Sequence, residues 1–183
     1  MATPSLVVCD LDGTLIDSDE ALLAPFLALG VEREAIGRGL PLEEECDRHG
    51  IAPERCLELY DVAVAAPFPG VAEVVDRLER WAVCSNKHPS SGRAELARLG
   101  WEPEVALFTD AFDGPKQLAP VLDALGVAPD DVVFLGDTDH DRRCAAAAGV
   151  PFALAGWKPR ATAGPGDLVL HRPEQVLDLL GLG

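Results

Sequence analysis

Asp10 and Asp12 stand two residues apart in Asp10-Leu-Asp-Gly-Thr14, directly after a short apolar run. Side chains alternate along an extended chain, so acids at this spacing point the same way. Two carboxylates ~4 Å apart repel by about 4 kcal/mol at an effective dielectric of 20. Such a pair persists when a cation lies between them or when one keeps a proton. Gly13 lets the chain turn sharply just beyond. A second acidic group, Gly136-Asp-Thr-Asp-His-Asp141, follows another apolar run, with Asp137 the first residue past it. Oxygen donors of this kind suit a hard cation, with Mg²⁺ the usual choice. Ser85 closes a third apolar run, and Lys116 follows the Gly114-Pro115 turn. A hydroxyl and a lysine in this company can hold an anion at the metal. A carboxylate nucleophile, a second carboxylate, a hydroxyl, a lysine and a Mg²⁺ site make a phosphoryl-transfer centre. Lys87, His88, Asp139 and His140 lie beside these motifs and are assigned no chemistry. The two histidines read as solvated loop residues.

These residues converge only if the right elements carry them. The apolar runs at 5–10, 81–86, 105–109 and 132–136 predict buried strands, with weaker ones at 151–155 and 167–171. Helical patterns separate them at 71–80, 91–99, 116–125, 141–148 and 174–180. Several end at a glycine, which tolerates the left-handed conformation that stops a helix. Strand alternating with helix implies a parallel sheet covered on both faces. In such sheets ligands bind beyond the carboxyl ends of the strands, where the topology reverses. Lys116 and Asp141 are each expected near the start of a helix.

Residues 17–67 break the alternation: no convincing strand appears, and helical patterns run through 20–29, 42–49 and 53–65. The segment 17–68 holds 12 acidic and 4 basic residues. It reads as a helical insertion placed after the first strand, too long for an ordinary crossover.

The chain has 183 residues, 48% hydrophobic and 25% charged, the proportions of a folded domain. Its formal net charge of −16 repels phosphate backbones and anionic lipid, which argues against nucleic acid and membrane surfaces as partners. No apolar run approaches the ~18 residues needed to span a bilayer, and the first residues do not read as a signal peptide. Five scattered cysteines without a C-x-x-C pair point to reduced thiols, hence to the cytoplasm, rather than to disulfides or zinc. Cys9 and Cys84, inside apolar runs, are expected to be buried and inert.

Asp10-Leu-Asp-Gly-Thr14, Ser85-Asn-Lys87, Lys116 and Gly136-Asp-Thr-Asp-His-Asp141, in this order and spacing, resemble the haloacid dehalogenase superfamily. The likeness is to its phosphatases, above all the phosphoglycolate-phosphatase-type branch with a helical cap after the first strand. It implies a Rossmann-like α/β core (1–16 and 69–183) and a small helical cap (17–68). By the same resemblance Asp10 attacks phosphorus and forms an aspartyl-phosphate. Asp12 protonates the leaving oxygen and later takes a proton from water. Mg²⁺ is held by Asp10, the Asp12 carbonyl and Asp137, with Asp141 supporting it. Ser85, Lys116 and the Asn86 backbone bind phosphoryl oxygens, while Thr14 joins the phosphate site by fixing the loop after the nucleophile. The implied substrate is a small phosphorylated metabolite, phosphoglycolate-like or a sugar phosphate. Arg33, Arg38, Arg48 and Arg55 are the cap cations available for specificity. The oligomeric state is left open. A sugar phosphomutase of the same superfamily would use the same residues. A haloacid dehalogenase would not need Asp12. A phospho-receiver module would carry its aspartate elsewhere and lack the insertion.

Overall fold

A computed structural model describes residues 3–37, 40–159 and 161–183. Six strands form one parallel sheet: β1 (Leu6–Cys9), β4 (Trp81–Cys84), β5 (Val105–Leu107), β6 (Val132–Gly136), β7 (Phe152–Ala155) and β8 (Leu168–Leu170), ordered β5-β4-β1-β6-β7-β8. The central strand β1 pairs Cys9 with Val83 on one side and Leu135 on the other. The chain winds outward to β5 and then crosses back to β6, so the reversal lies beside β1, where a ligand crevice is expected. Asp10, Ser85 and Asp137 each follow the carboxyl end of a central strand and meet at that crevice.

Alternation along the strands divides the core into two layers. Val7, Cys9, Val83, Val133 and Leu135 face one side. They pack with α4 (Val71–Val75), α5 (Pro89–Leu99) and α8 (Gln175–Leu179). Leu6, Val8, Ala82, Cys84, Val132 and Phe134 face the other, against α6 (Ala119–Leu125) and α7 (Asp139–Ala148). β1, β4 and β6 are buried throughout, as strands covered on both faces must be. All five cysteines are buried and free. No helix among the described residues is long and apolar enough to cross a membrane.

The interrupting segment folds as α1 (Asp19–Ala28), α2 (Leu42–His49) and α3 (Pro53–Leu59) around a small cluster of Phe26, Cys46 and Cys56. The expectation of no strand in 17–67 needs correction. β2 (Ile16–Asp17) and β3 (Ala66–Pro67) form a two-stranded antiparallel ribbon where the chain leaves and re-enters the sheet layer. Two residues per strand, one a proline, carry no readable alternation. The helix expected over 53–65 stops at Leu59. Beyond it the Asp61 carboxylate accepts the Ala63 N–H at 2.9 Å, a local bond that competes with helix continuation. The helices expected over 71–80 and 116–125 are also shorter, which places Lys116 in the loop ahead of α6 rather than in the helix.

Candidate active site

Asp10 extends the β1 ladder by one residue, its N–H donating to the Leu135 carbonyl at 2.8 Å. Its side chain is thereby fixed at the sheet edge, where it is buried. Gly13 then turns the chain with φ +77°, and a Cβ there would overlap both the Lys158 ammonium and the Asp137 carboxylate. Opposite, Gly136 ends β6 where a Cβ would run into the Asp141 side chain. That close approach lets one oxygen of Asp141 accept from the N–H groups of Asp137 (3.1 Å) and Thr138 (2.9 Å) and from the Thr138 hydroxyl (2.6 Å). The Thr138 side chain caps α7 in return, accepting the Asp141 N–H. Gly136→Ala is expected to destabilise the fold by about 1–3 kcal/mol, the usual range for overpacking. Urea denaturation with an unchanged slope would register it.

Asp10, Asp137 and Asp141 each present an oxygen within 4.8 Å of the others, all three residues being buried. Lys116 sits among them, its ammonium 2.8 Å from Asp10 Oδ1 and 2.5 Å from Asp141 Oδ1. The loop that carries it is pinned by its own N–H, which donates to Asn86 Oδ1 at 2.7 Å. Lys158 approaches Asp137 at 3.6 Å and Asp19 at 2.8 Å.

Burial pushes the Asp10 carboxyl up to about 7, and Asp141 and Asp137 add to the rise against the pull of Lys116. Burial likewise lifts Asp137 to about 6, partly opposed by Lys158. Asp141 behaves oppositely. Lys116 and the Thr138 donors outweigh its burial and hold it below the ordinary carboxylate range. Lys116 stays charged because Asp10 and Asp141 outweigh its desolvation. Two carboxyls thus resist ionisation where a cation would relieve them, while the third is committed to the lysine and the loop.

The residues singled out in the sequence take different places. Asp10, Asp12, Ser85, Asn86, Lys116 and Asp137 line one cleft of about 610 Å³; Thr14 and Asp141 do not. Thr14 is fully buried and its hydroxyl donates to Asp137 Oδ1 at 3.3 Å, so it braces that carboxylate rather than facing an anion. Asn86 braces Lys116 through its side chain. Arg33, Arg48 and Arg55 pair with Glu20, Glu45 and Glu58 and do not line the cleft. Arg38 lies outside the described residues. The wall contributed by the helical segment is instead largely apolar, including Leu22, Phe26, Ile36 and Leu57.

Four groups escaped the sequence reading. Lys158 has been described. Lys87, two residues past Ser85, is almost wholly buried and donates to Asp12 Oδ1 at 2.6 Å. Tyr60 and Glu95 complete its surroundings. Only the adjacency of Lys87 to Ser85 was a usable signal. The partners are brought together by the fold.

Comparison with known proteins places this geometry in a family. A family model of haloacid dehalogenase-like hydrolases matches residues 7–155. The phosphoglycolate phosphatase of Xylella fastidiosa is 30% identical, the match covering 87% of this chain and 83% of that protein. The phosphoglycolate phosphatase of Xanthomonas campestris is 27% identical over 96% of each. Among solved structures, a HAD-superfamily hydrolase, subfamily IA, from Geobacter sulfurreducens superposes with a TM-score of 0.70 at 25% identity, covering 98% of this chain and 97% of that one. The chain belongs to the haloacid dehalogenase-like hydrolases and is a phosphatase of that family.

Proposed function

We propose that this phosphatase is Mg²⁺-dependent and hydrolyses a small phosphomonoester, phosphoglycolate-like or a sugar phosphate, through an aspartyl-phosphate on Asp10. The observation that carries the reading is the grouping of Asp10, Asp12, Ser85, Lys116 and Asp137 on one cleft at the carboxyl edge of the sheet. The donor set fits Mg²⁺: three buried carboxylates offer hard oxygens within 4.8 Å of one another, two of them reluctant to ionise alone. Asp10 and Asp137 would hold the ion, joined by the Asp12 carbonyl that the family resemblance supplies, with Asp141 ordering the loop behind. Bound there, Mg²⁺ would neutralise charge on the phosphoryl group and let an anionic carboxylate approach it.

The chain's own residues account for the remaining steps. Asp10 forms the new P–O bond as the ester P–O bond breaks. Asp12, in the same cleft, gives its proton to the departing oxygen. Lys116 and Ser85 stabilise the transferring oxygens. Water then attacks phosphorus, Asp12 takes up its proton, and phosphate leaves with Asp10 restored. The helical segment 17–68 acts as a cap in this reading, supported by its separate cluster and the ribbon at its base. Closing it would exclude water and shape the site around the leaving group.

A panel of phosphate esters assayed with Mg²⁺ tests the reading. Free phosphate should appear from at least one small ester and disappear on chelation. An isomerised ester in place of phosphate would indicate a mutase, and activity indifferent to chelation would remove the metal from the mechanism.

The raised carboxyls add a pH signature. Between about pH 4 and pH 7 the folded chain still holds protons on Asp10 and Asp137 that the unfolded chain has already released. Through these groups, metal-free stability falls as pH rises across that window. Metal needs both carboxylates ionised, so protons compete with it at low pH. Mg²⁺ is therefore expected to raise the melting temperature well at about pH 8 and little at about pH 5. Equal gains at both would contradict the assignment of Asp10 and Asp137 as its holders.

A further inference from the structure

The acid/base aspartate has to present one oxygen to the leaving group, yet Asp12 stands on a loop after β1 with its side chain one-fifth exposed. Something must fix which oxygen faces the cleft. Lys87 is in position to do so. Its side chain is 2% exposed, and its ammonium lies 2.6 Å from Asp12 Oδ1, 3.0 Å from Glu95 Oε2 and 2.9 Å from the Tyr60 hydroxyl. It donates hydrogen bonds to Asp12 and Tyr60 and meets Glu95 as an ion pair. Glu95, wholly buried on α5, offsets the cost of burying the lysine. The Tyr60 hydroxyl donates to the second oxygen of Glu95, so neither carboxylate nor lysine can rotate alone.

These groups come from four places: Asp12 after β1, Lys87 after β4, Glu95 on α5 and Tyr60 directly after α3. Tyr60 ties the arrangement to the helical segment, while Lys87 ties it to the loop that carries Ser85. None of them except Asp12 has a part in the mechanism above. A lysine required only for packing would not need to spend its shortest bond on the one residue that exchanges the proton.

Resting on the phosphatase reading, we infer that Lys87, held by Glu95 and Tyr60, is the positioning residue for Asp12. It occupies Oδ1 so that Oδ2 is the oxygen turned to the leaving group. Tyr60 makes that orientation depend on the seating of the helical segment.

The test separates orientation of the acid from a general loss of structure. Nitrophenolate leaves without protonation, whereas an alkoxide needs it. Values of kcat/KM, which report the steps through phosphoryl transfer, are measured for Lys87→Met and Asp12→Asn on p-nitrophenyl phosphate and on glycerol phosphate. Both variants are expected to lose about 10²–10⁴-fold on the alkyl ester, the range of general acid catalysis, and less than about 10-fold on the aryl ester. In the double variant, Lys87→Met should cost less than about 3-fold beyond Asp12→Asn, because no acid remains to be positioned. Equal losses on both esters, or losses that multiply in the double variant, would overturn the inference. Tyr60→Phe keeps the lysine and the packing, and guards against misfolding of Lys87→Met. It should show a smaller loss of the same ester-dependent kind, with the melting temperature lowered by no more than about 10 °C, and no ester dependence would count against the inference. Wild-type protein that releases phosphate from neither of these esters nor from any other in the panel would instead remove the proposed reaction on which the inference rests.

Discussion

Asp10→Asn is expected to abolish turnover, lowering kcat by at least about 10³-fold, while the folded protein becomes more stable at neutral pH and above. The two effects have one cause. An amide cannot form the phosphoryl ester, so the route through the enzyme-bound intermediate closes, and loss of a nucleophile commonly costs several powers of ten. The same carboxylate is a liability to the fold. Burial and two neighbouring carboxylates lift it to about 7 in spite of Lys116. Ionising it at about pH 8 therefore costs free energy that an uncharged amide of the same shape does not. Without metal, the variant should melt higher than wild type at about pH 8, and the gap should shrink towards about pH 5, where wild-type Asp10 is protonated. With Mg²⁺ present the order should narrow or reverse, because the amide has lost an anionic ligand. Thermal melts at the two pH values, with and without the ion, together with phosphate release, check both halves. A variant that retained turnover would exclude Asp10 as the nucleophile. One that melted lower at every pH would show that the Asp10–Lys116 pair stabilises more than burial costs.

The residues at strand ends were legible because they occupy a distinctive position. Asp10, Ser85 and Asp137 each stand just past an apolar run, and a polar side chain there must face the crevice of a parallel sheet. Asp141 was legible through its spacing from Asp137. A parallel sheet covered on both faces followed from the alternation of short runs and helical patterns, whereas its strand order is set by pairings that the sequence does not display. The role of Thr14 was harder to read, since only the fold reveals that its hydroxyl meets Asp137 across 123 residues. Lys87 was assigned no chemistry for the same reason: two of its three partners lie 27 and 75 residues away, and only the fold brings them to it. Arginines in the helical segment were read as specificity groups because the segment has no lysine. Three of them instead neutralise acids of that same acidic segment. The short ribbon of β2 and β3 and the early stop of α3 depend on pairings of one or two residues, below the length at which periodicity carries information.

Lys116→Met is the substitution expected to damage the fold most. Lys116 is the one cation within 3 Å of Asp10 and Asp141 among the described residues. Its own ammonium lies 5.5 Å from the Phe134 ring, buried at the base of the cleft. Methionine keeps most of the volume and removes the charge, leaving carboxylates that were lowered by the lysine without it. Breaking a buried ion pair from one side typically costs ~3–5 kcal/mol. The effect here should depend on pH in a definite direction. Asp141 is held below the ordinary carboxylate range with Lys116 as the leading favourable partner, so it contributes stability above the unfolded value that is lost as pH falls through the folded one. Without the lysine that contribution shrinks at neutral pH, while at low pH, with the carboxylates protonated, wild type and variant converge. Urea titrations should show a large gap at about pH 7 that closes only well below about pH 4, where wild-type Asp141 takes up its proton. A divalent ion supplies the missing positive charge, so Mg²⁺ should recover part of the lost stability at about pH 7. It should not recover turnover, because the phosphoryl oxygens have lost the ammonium that faces them. Full activity in the rescued variant would assign Lys116 to the fold alone.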